Sequence, residues 1–168
     1  MPECNIEAEL IKLAEKNAAC LIKKLKEHSK NLALAESCTA GLISSLLANI
    51  PGASAVLWGS FVCYAKEAKI FMLGLDNNAL ADHGLVSKET ACLMAQAAQH
   101  GSGADIAAAV TGLAGPGGDG SGVPAGTVWA AVRNGEIAAR EFHFSGSRNE
   151  VRIRSAIAVL EMLLERLA

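Results

Sequence analysis

Residues 127–144 read TVWAAVRNGEIAAREFHF. Two strand-like runs flank Asn134-Gly135, the pair most favoured in a two-residue hairpin turn. The pattern predicts strands over Thr127–Arg133 and Glu136–Phe144, paired antiparallel. Upstream, short apolar runs at Leu32–Ala35 and Ile106–Thr111 read as buried strands, and Trp58–Tyr64 reads as a β-branched and aromatic one. Between them the apolar spacing is helical. Ile6, Leu10, Ile11, Leu13, Ala14, Ala18, Leu21, Ile22 and Leu25 predict a first amphipathic helix over residues 5–28. A helix over Thr39–Ile50 is stopped by Pro51-Gly52, and one over Lys66–Leu73 is closed by Gly74. Ser87 caps a helix that runs to His100 and ends at Gly101 and Gly103. Val151–Leu167 forms the last helix. Helices that separate short buried strands imply parallel strands covered on both faces. The expected fold is therefore a three-layer α/β/α arrangement with a mixed, mostly parallel sheet and one antiparallel hairpin. The length of 168 residues, with no repeat or linker, suits a single domain over residues 1–168.

Composition narrows the function classes. Apolar residues make up 51% of the chain, 31 of them Ala, and the net charge is −2. Low hydrophobicity with high net charge, the signature of disorder, is absent. So is the basic excess that nucleic-acid binding requires. From Ser37 to Ala65, 29 consecutive residues carry no Asp, Glu, Lys or Arg. A spanning helix needs about 20 mostly apolar residues, but Ser44, Ser45, Asn49, Pro51, Gly52, Ser54, Gly59 and Ser60 break this run, so no membrane span is expected. Five cysteines in no regular spacing suggest neither a zinc site nor a disulfide framework. Glu3, Glu7 and Glu9 replace the basic-then-apolar start of a secretory leader, so a reduced, cytoplasmic protein is expected.

Four segments carry residues suited to chemistry. Glu36-Ser37-Cys38-Thr39-Ala40-Gly41 lies where a buried strand gives way to a helix, the place where open α/β sheets bind ligands. Free backbone amides at such a helix start suit an oxyanion, and a hydroxyl there can be a nucleophile. Ser37 or Thr39 could equally be a plain helix cap. Cys38 is a competing nucleophile or an inert small hydrophobe. Tyr64-Ala65-Lys66-Glu67-Ala68-Lys69 holds the one tyrosine and two lysines three apart. A desolvated lysine can act as base for a hydroxyl nucleophile without a histidine; a solvated ion-paired helix is the plain alternative. No histidine sits in a triad-like motif. Thr111 to Gly122 contains six glycines, suited to close approach of backbone amides to a phosphate. It is neither a P-loop nor a dinucleotide fingerprint, because no Gly-Lys-Ser/Thr follows and the next element is a strand. Finally, Ser145-Gly146-Ser147-Arg148, with Arg152 and Arg154 beyond, could clamp an anion or form an ordinary capped helix start.

In this order the four segments resemble the C-terminal domain of the CinA (competence/damage-inducible) family, which includes nicotinamide-nucleotide amidohydrolases. The matching stretches are Ala35–Thr39, Gly59–Lys69, Thr111–Gly118 and Gly126–Trp129, and similarity extends over residues 6–166. It does not extend to the larger, molybdopterin-binding-like N-terminal domain of longer relatives. The resemblance implies deamidation of nicotinamide mononucleotide to nicotinic acid mononucleotide and ammonia, without metal or cofactor. It implies Ser37 as nucleophile, with Tyr64 and Lys69 as proton-transfer partners. The backbone at Cys38, Thr39 and Ala40 would hold the oxyanion. Thr111 and the loop glycines Gly112, Gly115 and Gly117 would contact the ligand, and Arg148 would assist with the phosphate. Two departures stand out: Ala40 replaces a glycine common in relatives, a change expected to cost little, and Lys66 replaces an asparagine. The alternatives are a Cys38 thiol amidase and a non-catalytic mononucleotide-binding or competence-related module. The Ala-rich helices, such as Ala91 to Ala98, allow close packing within or between subunits, and a homo-oligomer is the expectation.

Overall fold

A computed structural model describes residues 6–118 and 120–168. Glu3, Cys4, the expected helix start at Asn5, and Asp119 of the glycine-rich segment lie outside them. Helix α1 (Ile6–Glu27) has acidic residues in its first turn and Lys24 and Lys26 in its last, matching the helix dipole. It is followed by β1 (Leu32–Glu36), α2 (Leu42–Ala48), β2 (Leu57–Val62), α3 (Lys66–Leu73), α4 (Asn77–His83), α5 (Lys88–Ser102), β3 (Ile106–Gly112), β4 (Thr127–Asn134), β5 (Glu136–His143) and α6 (Arg148–Glu165). The strands form one sheet in the order β2-β1-β3-β4-β5. β1 pairs parallel with β2 and β3, while β4 pairs antiparallel with both β3 and β5. Four strands thus share one direction and β4 alone opposes them. The sheet is mixed as expected, parallel at the β2-β1-β3 end and antiparallel elsewhere, where β3 with β4 adds a second antiparallel pairing beside the hairpin.

Strand alternation divides the core in two. Leu32, Leu34, Val110, Val128 and Val132 face a large cluster with α1, α2 and α6. On the other face Ala35, Ala107, Ala109 and Ala131 meet Ala91, Ala95 and Ala98 of α5, all essentially without solvent exposure. Alanine against alanine lets α5 lie close to the sheet, which accounts for much of the alanine surplus. These α5 alanines serve a contact inside the chain. No helix among the described residues is long and apolar enough to cross a membrane.

The elements differ from the sequence reading where side chains far along the chain decide the outcome. At the hairpin, Asn134 stays in the ladder opposite Glu136, and Gly135, at φ +72, makes the turn alone. Asn134 is held there by Lys30 Nζ, which donates to its Oδ1 at 2.7 Å, and by the Arg166 carbonyl, which accepts from its Nδ2 at 3.1 Å. α6 starts at Arg148 rather than Val151, because Ser147 and Glu150 form a reciprocal capping box. α4 was not anticipated; Asp76 caps it by accepting from the Asn78 amide. α2 starts at Leu42 rather than Thr39, for a reason set out below.

The carboxyl ends of β1 and β3 lie side by side, where open α/β sheets form their ligand crevice. β1 leads away toward β2 and β3 toward β4, so this is the switch point where such sheets bind ligands. The loop after β3 returns through Gly126, at φ +89, where an added methyl would run into the Phe144 carbonyl. The Gly126→Ala variant is expected to lose about 2 kcal/mol or more of stability. Urea denaturation checks this, and an unchanged midpoint would contradict the packing described.

Candidate active site

Ser37 follows the last residue of β1, and its amide donates to the Val110 carbonyl of β3 at 3.0 Å, fixing it across the switch point. Lys69 lies one turn into α3 and is 1% exposed. Its Nζ meets three oxygens: Ser37 Oγ at 2.9 Å, the Cys63 carbonyl at 2.8 Å and the Tyr64 carbonyl at 3.2 Å. Burial pushes the Lys69 amine below the ordinary lysine value of 10.5, opposed by neighbouring Cys63 and Cys38 when those thiols ionise. A neutral amine has two N–H groups and one lone pair. As an ammonium Lys69 donates to Ser37 Oγ as well as to the two carbonyls; in the neutral form, with the carbonyls taking the two N–H groups, its lone pair would accept from the Ser37 hydroxyl. Cys38 is 4% exposed, and burial pushes its thiol up to about 12, which favours the protonated form over the nucleophilic thiolate.

The turn from Ser37 to Gly41 is built around Glu36. Glu36 is fully buried. One carboxylate oxygen accepts from Thr39 Oγ1 at 2.8 Å and the Ile43 amide at 3.1 Å. The other accepts from the Ser44 amide at 2.9 Å and Ser60 Oγ at 3.2 Å. Ile43 and Ser44 are the second and third residues of α2, so a strand residue caps this helix in place of Ser37 or Thr39. The helix can then begin late, and residues 39–41 form a tight turn with Ala40 at φ +52 and Gly41 at φ +89. Arg152 holds the turn from outside by donating to the Thr39 carbonyl at 2.9 Å. The Ala40 amide donates to the Ser37 carbonyl at 3.0 Å and is unavailable to an oxyanion. The Cys38 and Thr39 amides take no carbonyl partner among the described residues and lie close enough to the Cys38 sulfur to favour its thiolate.

The remaining candidates divide into those at the site and those that support it. The Tyr64 hydroxyl lies on Arg148, not on Lys69; it is the Tyr64 backbone carbonyl that touches the amine. The contact between Lys69 Nζ and Ser37 Oγ is direct. Arg148 also donates to the Gly115 carbonyl at 2.7 Å, tying the glycine-rich loop to α6. Thr111 is buried, and its hydroxyl donates to the Leu85 carbonyl at 2.6 Å, so its side chain anchors that loop. Gly112 is needed for packing: a Cβ there would lie 2.7 Å from Val128 Cγ2 and 2.8 Å from the Thr127 carbonyl oxygen. Gly117 has open space beside it. Among the described residues no group of three or more His, Cys, Asp or Glu is placed to hold a metal ion.

Comparison with known proteins gives a consistent result. The family model for the CinA C-terminal domain matches residues 14–167. A CinA-like protein of Thermotoga maritima is 40% identical over 149 residues, 89% of this chain and 36% of its own length. One from Geobacter metallireducens is 43% identical over 143 residues, 84% of this chain and 35% of its own length. This chain thus spans about a third of these relatives. Among solved structures, the competence/damage inducible protein CihA of Agrobacterium tumefaciens superposes with TM-score 0.87 at 39% identity, covering 91% of this chain and 94% of that one. A CinA superfamily protein of Klebsiella pneumoniae gives 0.89 at 31% identity, covering 92% and 97%.

Ala40 is a non-glycine residue held in the left-handed region, which costs about 1 kcal/mol. Alanine at this position is thus less neutral than the sequence suggests. Ala40→Gly is expected to stabilise the protein by up to about 1 kcal/mol. A thermal melt checks this, and a lower midpoint would contradict the strain described at Ala40.

Proposed function

The chain belongs to the CinA family through its C-terminal domain, and from that premise we propose that it is an amidohydrolase acting on nicotinamide mononucleotide. The observation that carries this reading is the buried Lys69 amine, 2.9 Å from Ser37 Oγ with its other contacts on backbone carbonyls. Lys69 takes the Ser37 proton as Oγ forms a bond to the carboxamide carbon. The resulting oxyanion sits on the Cys38 and Thr39 amides. The C–N bond then breaks, and the proton on Lys69 passes to the leaving nitrogen, which departs as ammonia. Water attacks the Ser37 ester, again giving a proton to Lys69, and nicotinic acid mononucleotide leaves as the proton returns to Ser37 Oγ. Cys38 takes no covalent part in this scheme, and its raised thiol and burial agree with that role. Tyr64 and Arg148 hold the rim of the crevice through their mutual hydrogen bond.

Ammonia release from nicotinamide mononucleotide by the purified protein tests the reading directly. Ser37→Ala is expected to lower kcat at least about a thousandfold, and Lys69→Ala by about 10²–10⁴-fold, the range for a lost general base. Cys38→Ala is expected to stay within a few-fold of the parent protein. No release under any condition contradicts the amidase. Full activity in Ser37→Ala with loss in Cys38→Ala contradicts the assignment of the nucleophile.

A further inference from the structure

A cavity of about 560 Å³ opens between the first turn of α3, the segment that closes α4, and the glycine-rich loop. Its volume falls in the range of small-molecule sites, roughly 300–1,000 Å³. Lys66, Asp82, Leu85, Ser121 and Val123 line it. The cavity wall is joined to the catalytic crevice at two points. Lys66 lies one helical turn before Lys69 and directly follows Tyr64-Ala65. The Leu85 carbonyl accepts from Thr111 Oγ1, and Thr111 adjoins Val110, whose carbonyl holds the Ser37 amide.

The lining chemistry is that of a ribose phosphate. A phosphate calls for a cation, ribose hydroxyls call for a carboxylate acceptor, and the sugar carbons call for apolar walls. Lys66, Asp82, and Leu85 with Val123 supply these in turn. Arg148, the cation favoured by the sequence, already donates to Gly115 and Tyr64. Lys66 Nζ has no hydrogen-bond or ion-pair partner among the described residues. We propose that this cavity is the subsite for the ribose 5-phosphate end of the substrate, with Lys66 on the phosphate and Asp82 on the ribose hydroxyls. The proposal rests on the amidase reading and places the specificity for a nucleotide over free nicotinamide at this subsite.

The test compares kcat/KM for nicotinamide mononucleotide, nicotinamide riboside and nicotinamide. In Lys66→Ala the preference for mononucleotide over riboside is expected to fall about 10- to 100-fold, the range for a hydrogen bond to a charged group. In Asp82→Asn the preference for riboside over nicotinamide is expected to fall. An unchanged mononucleotide-to-riboside ratio in Lys66→Ala overturns the proposal. Calorimetric binding of ribose 5-phosphate separates this outcome from failure of the amidase reading, because it requires no turnover. The parent protein is expected to bind at least about tenfold tighter than Lys66→Ala. Equal affinity, or no binding to either, overturns the subsite whatever the activity.

Discussion

A lysine amine shut away from water is the constraint around which this site is arranged. Taking an ammonium out of water costs several kcal/mol, about the size that favours the neutral form. Lys69 has no carboxylate partner among the described ion pairs; its oxygens are a hydroxyl and two carbonyls. All three of those oxygens, from Ser37, Cys63 and Tyr64, belong to the 29-residue uncharged stretch that ends at Ala65. The consequence for stability has a definite sign. Because the folded amine has the lower affinity for a proton, the unfolded chain holds more protons between the depressed value and 10.5. The destabilisation is fully present below the depressed value, and stability rises with pH across that window.

Ser37, the proposed nucleophile, depends on a second buried group. Glu36 gathers two amides and two hydroxyls on one carboxylate and draws the start of α2, Thr39 and Ser60 together. A buried carboxylate is tolerated when its oxygens are satisfied in this way. Successive strand side chains point to opposite faces, so Glu36 works on the α2 face while Ser37 meets Lys69 on the α3 face. From outside, Arg152 and Arg148 fasten the two loops, one at Thr39 and the other at Gly115. α6 thereby braces both sides of the crevice from a single helical face, since residues four apart are neighbours on a helix.

Much of this frame is legible in the sequence. The alternation around Asn134-Gly135 yields the hairpin, and the apolar runs yield the parallel strands, because period and turn chemistry are local. The Ser37 and Lys69 segments are legible as candidates, yet the choice between Lys66 and Lys69 is not. They differ by one helical turn, and only packing makes Lys69 buried and leaves Lys66 partly exposed. Glu36 escapes a linear reading because its partners lie up to 24 residues away and it caps a helix from a strand. The roles of Thr111 and Gly112 escape it for the same reason. Polar or glycine residues beside a loop suggest a ligand, whereas their partners are Leu85, Val128 and Thr127. Asn134 remains in the ladder because Lys30 and Arg166, distant in sequence, hold its side chain.

The central claim is that burial shifts Lys69 toward the neutral amine, and its own titration tests this most directly. NMR of protein carrying isotope-labelled lysine resolves the Lys69 signal, assigned by its disappearance in Lys69→Arg. The account predicts a titration midpoint for Lys69 clearly below the ordinary 10.5, while exposed lysines titrate near that value. A Lys69 midpoint at or above 10.5 would mean that the buried amine is a fixed cation, and would contradict its role as the base for Ser37.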